Sequence, residues 1–224
     1  RISMLKRLFD LVLAIILLLF FSPLFIFVII ILSITGEGEI FYKQERVGFK
    51  NKKFNIIKFA TMYKNSELIG DKDITQRGDP RIMPFGRMLR QTKINEIPQL
   101  INVINGTMSF VGPRPLMLSG FNRYSDDIKK VIYNIKPGIT SLGSIFFRDE
   151  ELVVTKSKLE ASKCHGEIIL PFKGKLEVWY QLNMSFYSDL KILLLTLMIL
   201  LFDNIEYLYK FFPNAPRPTS ELWK

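Results

Sequence analysis

The stretch Asn95–Pro115, NEIPQLINVINGTMSFVGPRP, carries the side chains in this sequence best suited to chemistry. It begins with an amide beside a carboxylate, Asn95 and Glu96, and ends in Gly112-Pro113-Arg114-Pro115. Because proline fixes φ and glycine permits unusual backbone conformations, the last four residues predict a rigid loop that holds one arginine still. A fixed arginine suits a bidentate grip on phosphate or carboxylate. The alternative at this point is a structural turn with a solvated arginine.

Composition limits the chemistry that the chain can perform. Lysine and arginine outnumber the acids 31 to 21, which indicates anionic partners: nucleic acid, phospholipid or a phosphorylated substrate. Cys164 and His165 are the single residues of their types, which excludes disulfides within the chain, Cys/His zinc sites and most histidine-dependent catalysis. Carboxylates or lysines must therefore carry any acid, base or nucleophile chemistry. The length of 224 residues suits one domain, or one domain with an anchor.

An uncharged run from Leu11 to Ile34 predicts a membrane segment. As one straight helix of ~1.5 Å per residue it would reach roughly 36 Å, enough to span a bilayer. Ser22-Pro23 lies in the middle, however, and proline kinks a helix. Basic residues also flank both ends, and such residues prefer the cytoplasmic side; they are Lys6, Arg7, Lys43, Arg46, Lys50, Lys52 and Lys53. A spanning helix and a helix-break-helix that enters and leaves by the same face are the two alternatives.

The rest of the chain predicts a mainly helical α+β fold. Alternating apolar positions over residues 40–62 predict a β-hairpin that turns near Gly48–Lys52. Polar residues 66–86 predict an exposed loop. Two short helices are expected to meet near residues 95–98, with Asn95 as a cap and Pro98 in the first turn of the second. Further expectations are an amphipathic helix over 121–135, a loop or short strand over 136–151, a helix near 152–162, an interfacial or core segment over 192–202, and a disordered tail.

Several of these segments together resemble the bacterial sugar transferases, monotopic phosphoglycosyl transferases that begin polysaccharide and glycoconjugate assembly. The resemblance covers about residues 4–200 and rests on Ser22-Pro23 in its apolar segment and on four motifs. These are KFATM, GDPRIMPFGRMLRQTKINEIPQLINVINGTMSFVGPRP, KPGIT and SDLKILLLT. The resemblance implies a re-entrant membrane anchor at 1–36, a catalytic domain with a short β-hairpin and interfacial helices at 37–212, and a tail at 213–224. It also implies the cytoplasmic face of the bacterial inner membrane.

The resemblance implies a reaction as well. Family members transfer a phospho-sugar from a nucleoside-diphosphate sugar, usually a UDP-sugar, to polyprenyl (undecaprenyl) phosphate, with Mg²⁺, and release UMP. An adjacent Asp-Glu pair supplies the nucleophile for a covalent intermediate. Carried over to this sequence, Asn95 and Glu96 occupy the catalytic and metal-binding positions, and Ser22 and Pro23 the membrane break. The expected substrate-binding residues are Lys58, Arg90, Pro113, Arg114 and Arg148. An anionic bilayer is a further expected partner, homo-oligomerisation stays open, and the absence of a known nucleic-acid motif disfavours nucleic acid.

Three positions depart from the family pattern. Asn95 stands where the family has its nucleophilic aspartate, Ala60 where a basic residue is common, and Thr107 where aspartate is usual. A neutral amide is a poor nucleophile and a weaker metal ligand than a carboxylate. Three explanations stay open: Glu96 acts as the nucleophile, Asn95 is an engineered substitution that traps a substrate complex, or the protein is a catalytically silent binding or scaffold homologue.

Overall fold

A computed structural model of the chain shows a mainly helical architecture with two small sheets. It describes residues 4–35, 37–64, 66, 79–157, 159–202 and 204–218. Most of the predicted loop at 66–86 lies outside these residues. Its last part contains an isolated bridge between Met62 and Ile82 and the start of a helix.

The apolar N-terminal run forms two helices, α1 (Met4–Phe20) and α2 (Ser22–Thr35), bent by 61°. Taken singly, none of the helices in the described residues is long and apolar enough to cross a membrane. The break expected at Ser22-Pro23 is confirmed. Pro23 has no N–H to donate to the carbonyl of Leu19, and the Ser22 hydroxyl donates to that carbonyl instead, at 2.7 Å. Serine thus satisfies the group that proline leaves free.

The predicted hairpin is also confirmed. Strands β1 (Phe41–Val47) and β2 (Lys53–Phe59) pair antiparallel, with Val47 opposite Lys53 and the turn between them. Lys50 and Asn51 adopt left-handed backbone conformations in that turn. Asn102 fastens the hairpin to the domain: its Oδ1 accepts from the Ile57 amide at 2.9 Å and its Nδ2 donates to the Asn55 carbonyl at 2.8 Å.

The central motif folds into α3 (Pro84–Gln91), a 3₁₀ turn (Ile94–Glu96) and α4 (Gln99–Ile104). Two short helices do meet near residues 95–98, but the expected capping is wrong. Pro98 itself is the N-cap of α4, and no side chain caps that helix. Asn95 lies inside the 3₁₀ turn, where its side chain is buried.

Strand β3 (Ser109–Val111) pairs parallel with β4 (Gly138–Thr140) beneath the Gly-Pro-Arg-Pro loop. The backbones approach closely after β3, because a Cβ on Gly112 would lie 2.3 Å from the carbonyl oxygen of Lys136. The expected loop or short strand over 136–151 therefore contains β4, followed by α7 (Leu142–Phe146). The backbones at Gly112 and Gly138 can approach this closely because neither residue has a Cβ.

The remaining helices enclose the core and correct further expectations. The predicted helix over 121–135 is two helices, α5 (Leu118–Asn122) and α6 (Asp126–Val131), because Ser125 is extended and begins a new helix. The others are α8 (Glu150–Ser157), α9 (Ala161–Cys164), a π-helix (His165–Ile169), α10 (Leu170–Leu182), α11 (Phe186–Phe202) and α12 (Glu206–Phe211).

Helix α11 is half-buried, as an interfacial or core segment would be. Ile192, Leu195 and Ile199 pack in the core, while Leu197 and Leu201 are exposed. The predicted disorder of the tail is wrong where the structure describes it, because Ala215 is buried in the core. Residues 219–224 lie outside the described part of the chain.

Candidate active site

Glu96 is clamped between two cations on different elements. Its Oε1 accepts from Arg114 Nη2 at 2.7 Å and from Lys58 Nζ at 3.5 Å. Arg114 follows β3, Lys58 lies on β2 and Glu96 ends the 3₁₀ turn. The structure thus brings together three residues that the sequence predicts for the site, from segments far apart in the chain.

The Arg114 loop is held by backbone contacts, as its two prolines predict. The carbonyl of Pro113 accepts from the Gly138 amide at 3.0 Å. The hydroxyl of Tyr133 donates to the Arg114 carbonyl at 2.9 Å and accepts from the Leu116 amide at 3.0 Å. Val47 of the hairpin donates to the Leu116 carbonyl. The arginine is therefore fixed in place, in agreement with the rigid-loop prediction.

Arg46 is a third cation at this site, which sequence reasoning assigned only to the membrane flank. It lines one cavity together with Ile56, Lys58, Gln99, Arg114 and Pro115. Its Nη1 donates to the Pro115 carbonyl at 3.4 Å, and its buried Nε has no hydrogen-bond partner among the described residues. The hairpin register places Arg46 opposite Phe54 and Lys58 opposite Tyr42, so strand pairing alone does not predict that both side chains line this cavity.

The pKa values reflect this concentration of positive charge. Burial raises the pKa of Glu96, but Arg114 and Lys58 outweigh it and hold that pKa far below its usual range. Burial, opposed by Glu96 and reinforced by Arg114, lowers the pKa of Lys58 to about 8. Burial and then Arg114 lower the pKa of Arg46 to about 10. Three cations around one carboxylate leave an excess of positive charge here, which attracts an anionic group such as phosphate.

Asn95 precedes Glu96 in a turn with unusual backbone geometry. Lys93, with φ 60°, adopts the left-handed conformation that few residues other than glycine take up, and the turn follows from it. The side chain of Asn95 is buried, and its Oδ1 has no hydrogen-bond partner within the described residues. A buried oxygen without a donor is costly, so a bound water or a cation would stabilise this side chain.

The two other predicted substrate-binding arginines, Arg90 and Arg148, make contacts with different segments. Arg90 lies in the last turn of α3, with Nη1 3.5 Å from the hydroxyl of Thr61. Arg148 donates from Nη1 to the carbonyl of Ile199 in α11. These contacts give no direct support for placing Arg90 or Arg148 beside Glu96. Arg90 stays close to the KFATM segment, whereas Arg148 ties the loop before α8 to the C-terminal helices.

The three departures from the family pattern have distinct surroundings. Thr107 exchanges hydrogen bonds with Asn102, the residue that fastens the hairpin, so it has a structural role. Ala60 is buried and its amide donates to the Ile40 carbonyl. Of the three positions, Asn95 alone adjoins the clamped carboxylate in sequence, so its amide is the departure with the most direct chemical consequence.

The oxygen donors of the site fit a magnesium ion when a ligand completes the set. In the described part of the chain, no group of three or more His, Cys, Asp or Glu side chains comes together. Magnesium usually binds to one or two protein oxygens together with substrate phosphates and water. The unpartnered Oδ1 of Asn95 and the adjacent carboxylate of Glu96 match that requirement.

A second buried carboxylate, that of Glu177 on helix α10, lies behind the Arg114 loop, and sequence reasoning missed it. Glu177 is fully buried, and Ser141 donates to its Oε1. Burial, opposed mainly by Ser141 and Lys173, raises the pKa of Glu177 to about 7. Lys173 is also paired with Glu150. Pro171, at the start of α10, is the sequence signal that could have located this helix.

Comparisons with known proteins agree with the family resemblance that the sequence motifs indicate. The family described as bacterial sugar transferase matches residues 1–203. An uncharacterised sugar transferase of Bacillus subtilis is 35% identical over 203 residues, which cover 90% of each chain. The undecaprenyl-phosphate galactose phosphotransferase of Salmonella typhimurium is 33% identical over 88% of this chain and 40% of its own length. The undecaprenyl-phosphate glucose phosphotransferase of Komagataeibacter xylinus is 34% identical over 86% of this chain and 35% of its own length.

Proposed function

The chain belongs to the bacterial sugar transferase family, and we propose that it transfers a sugar-1-phosphate from a UDP-sugar to polyprenyl phosphate. The proposed products are polyprenyl-diphosphate-sugar and UMP, at the cytoplasmic face of a bacterial inner membrane. The observation that carries the proposal is the clamped carboxylate: Glu96 lies between Lys58 and Arg114, beside Asn95. The named activities of the Salmonella and Komagataeibacter relatives support the reaction class.

The positive charge of the site favours binding of a diphosphate. Arg46, Lys58 and Arg114 line one cavity and carry more positive charge than Glu96 offsets. A sugar nucleotide would supply the missing negative charge, and the fixed fork of Arg114 would grip its phosphate oxygens. Phosphoryl transfer depends mainly on such positioning and charge stabilisation.

In the proposed covalent step, a carboxylate oxygen attacks the phosphorus that carries the sugar. The bond from that phosphorus to the bridging oxygen breaks, and UMP leaves with the oxygen. An oxygen of polyprenyl phosphate then attacks the same phosphorus, the bond to the carboxylate breaks, and the carboxylate is regenerated. With an amide at position 95, Glu96 is the carboxylate of the pair that can perform this step.

Magnesium is part of this proposal. Asn95 Oδ1 and Glu96 would hold the ion together with phosphate oxygens of the substrate. When bound, the ion would neutralise negative charge that develops on the phosphates. The pKa of Glu96 lies far below its usual range, so its carboxylate is ionised throughout the physiological range.

The bent helix pair supports a re-entrant anchor as the membrane attachment. A bend of 61° at Phe21, together with basic residues in the first turn of α1 and after α2, favours entry and exit on one face. The exposed leucines of α11 would then contact the same anionic bilayer surface. The lipid substrate would reach the site from that side.

Asn95 favours a second function. An amide cannot form the acyl-phosphate intermediate, so a protein that relied on position 95 would bind nucleotide sugar or lipid without turnover. The test is to incubate the purified chain with Mg²⁺, polyprenyl phosphate and a panel of UDP-sugars and to measure UMP. Release of UMP with any sugar supports the transferase, and binding without release supports the silent binding protein.

A further inference from the structure

The first turns of α1 contact the two segments that carry the candidate site. Lys6 Nζ donates to the carbonyl of Val111 at 3.0 Å. The amide of Phe110 donates to Asp10 Oδ1 at 3.2 Å. Lys6 and Asp10 thus hold consecutive residues of β3, the strand that leads into the Arg114 loop. Both positions are one helical turn apart and face the same side of α1.

Arg7 makes the matching contact to the other segment. Its Nη1 donates to the carbonyl of Val103 at 2.6 Å, and its Nη2 donates to that of Ile104 at 2.8 Å. These carbonyls end α4, the helix that follows Asn95 and Glu96. A cation at a helix C-terminus is favourable and satisfies carbonyls that have no partner within the helix. The membrane helix therefore contacts the backbone on both sides of the site.

Lys6 is held in a buried network rather than directed to solvent. It is 6% exposed and forms an ion pair with Asp189 of α11, which is 3% exposed. The hydroxyl of Tyr180 in α10 donates to the other carboxylate oxygen of Asp189 and lies 3.4 Å from Lys6 Nζ. Burying an ion pair costs free energy of desolvation, which its geometry must repay.

A topogenic role alone does not account for this arrangement. A lysine that marks the cytoplasmic flank needs only to reach headgroups or water, and it does so by extending along the surface. Here the amine of Lys6 points into the protein. Two neighbouring residues, Asp10 and Asp189, are buried acids, and acidic residues contribute little to membrane topology, so topology does not explain them either. The network instead ends on the carbonyl of Val111, three residues before Arg114.

We infer that Lys6, with its partners Asp189 and Tyr180, is a positioning residue that fixes β3 and thereby aims Arg114 at Glu96 and at the substrate. This inference rests on the proposed function for the identity of the substrate. Its structural part, the dependence of β3 on α1, does not. The first membrane helix is accordingly a component of the site and not a tether alone.

The experiment compares two altered chains with a matched control in detergent or nanodiscs. Tyr180→Phe removes one hydroxyl, and the double change Lys6→Met with Asp189→Leu replaces the buried pair by apolar side chains, which buried pairs often tolerate without loss of fold. Lys43→Met, which removes an exposed lysine after the membrane segment, is the control. Amide hydrogen exchange of residues 109–116 and the Kd for a UDP-sugar are measured, the latter also in an Arg114→Ala background.

We expect exchange over residues 109–116 to become about tenfold or more faster in the double variant and less so in Tyr180→Phe, with α6 unchanged. The Kd should rise roughly tenfold, and this rise should vanish in the Arg114→Ala background, because both changes act through one side chain. Lys43→Met should leave both readouts as they are. Unchanged exchange at 109–116, or an equal rise in Kd without Arg114, overturns the inference. If the unaltered chain binds no nucleotide sugar, the proposed function fails, and the exchange result still decides the role of Lys6.

Discussion

The hydroxyl of Tyr133 bridges the backbone on both sides of Pro115, donating to the carbonyl of Arg114 at 2.9 Å and accepting from the amide of Leu116 at 3.0 Å. Tyr133 is 1% exposed, and burial raises the pKa of its hydroxyl, which therefore stays protonated as a donor. Tyr133 thus holds the backbone of the loop, while the guanidinium of Arg114 contacts Glu96.

Removing that hydroxyl should loosen the loop without emptying the core. Tyr133→Phe keeps the ring and loses one donor and one acceptor, so we expect a stability loss of about 1–3 kcal/mol. Binding of a UDP-sugar should weaken several-fold, because Arg114 is less well fixed. Calorimetry of unfolding and of binding measures both effects. An altered stability with unaltered binding would show that Tyr133 serves the fold alone.

Arg114 itself should not tolerate lysine. Arg114→Lys replaces a planar fork by a flexible point charge, and loss of a hydrogen bond to a charged group costs about 1.5–3 kcal/mol. We therefore expect the Kd for a UDP-sugar to rise by roughly ten- to a hundredfold. Arg87→Lys, at an exposed position of α3, is the matched control and should have no effect. If Arg114→Lys binds the UDP-sugar as tightly as the original chain does, the loop has a purely structural role.

Lys58 should make nucleotide-sugar binding depend on pH. Its pKa of about 8 means that the amine loses its charge as pH rises from about 7 to 9, and an anion binds less well to the neutral form. Affinity should therefore be highest below pH 8 and fall above it. Lys58→Arg, which stays charged, should give a flat profile over the same range. The proposal for Lys58 fails if the original chain shows a flat profile too.

The local features of the fold were predictable from the sequence, because each has a short-range signal. Pro23 breaks the apolar run, alternating residues give the hairpin, and Gly112 with its prolines gives the fixed loop. The expected cap at Asn95 failed because the chain reaches α4 through a 3₁₀ turn that starts from the left-handed Lys93.

Long-range partners were not predictable in the same way. The sequence assigns Arg46 to the membrane flank, because the folded chain is needed to bring Arg46 and Lys58 to the lining of one cavity. The pairing of Lys6 with Asp189 joins positions 183 residues apart, and no periodicity records it. Helix α10 buries Lys173 and Glu177. Because charged residues occupy these buried positions, the sequence lacks the continuous apolar periodicity that normally identifies a helix.

The membrane topology can be tested by labelling single cysteines in intact cells. With Cys164 replaced by serine, cysteines introduced at Ser3 and Ile40 should both be reached from the cytoplasm and neither from the outside. Labelling from opposite sides would contradict a re-entrant anchor and favour a spanning helix.

Pro23→Leu supplies a second test of the anchor. The substitution restores the N–H that can donate to Leu19, so the two helices should straighten toward one span. We expect part of the population to label at position 40 from the outside. An unchanged labelling pattern would mean that flanking charges, rather than the proline break, set the topology.

The central claim is that Asn95 stands where the family has its nucleophilic aspartate, and that the neighbouring Glu96 is the carboxylate that acts in its absence; one assay tests both parts. UMP release is measured with Mg²⁺, polyprenyl phosphate and a UDP-sugar for the original chain, Asn95→Asp and Glu96→Gln. Aspartate would restore both a nucleophile and an anionic magnesium ligand, so we predict at least about a tenfold gain for Asn95→Asp, and for Glu96→Gln the loss of whatever activity the original chain has. A gain below about tenfold for Asn95→Asp, or full activity in Glu96→Gln, would contradict this assignment.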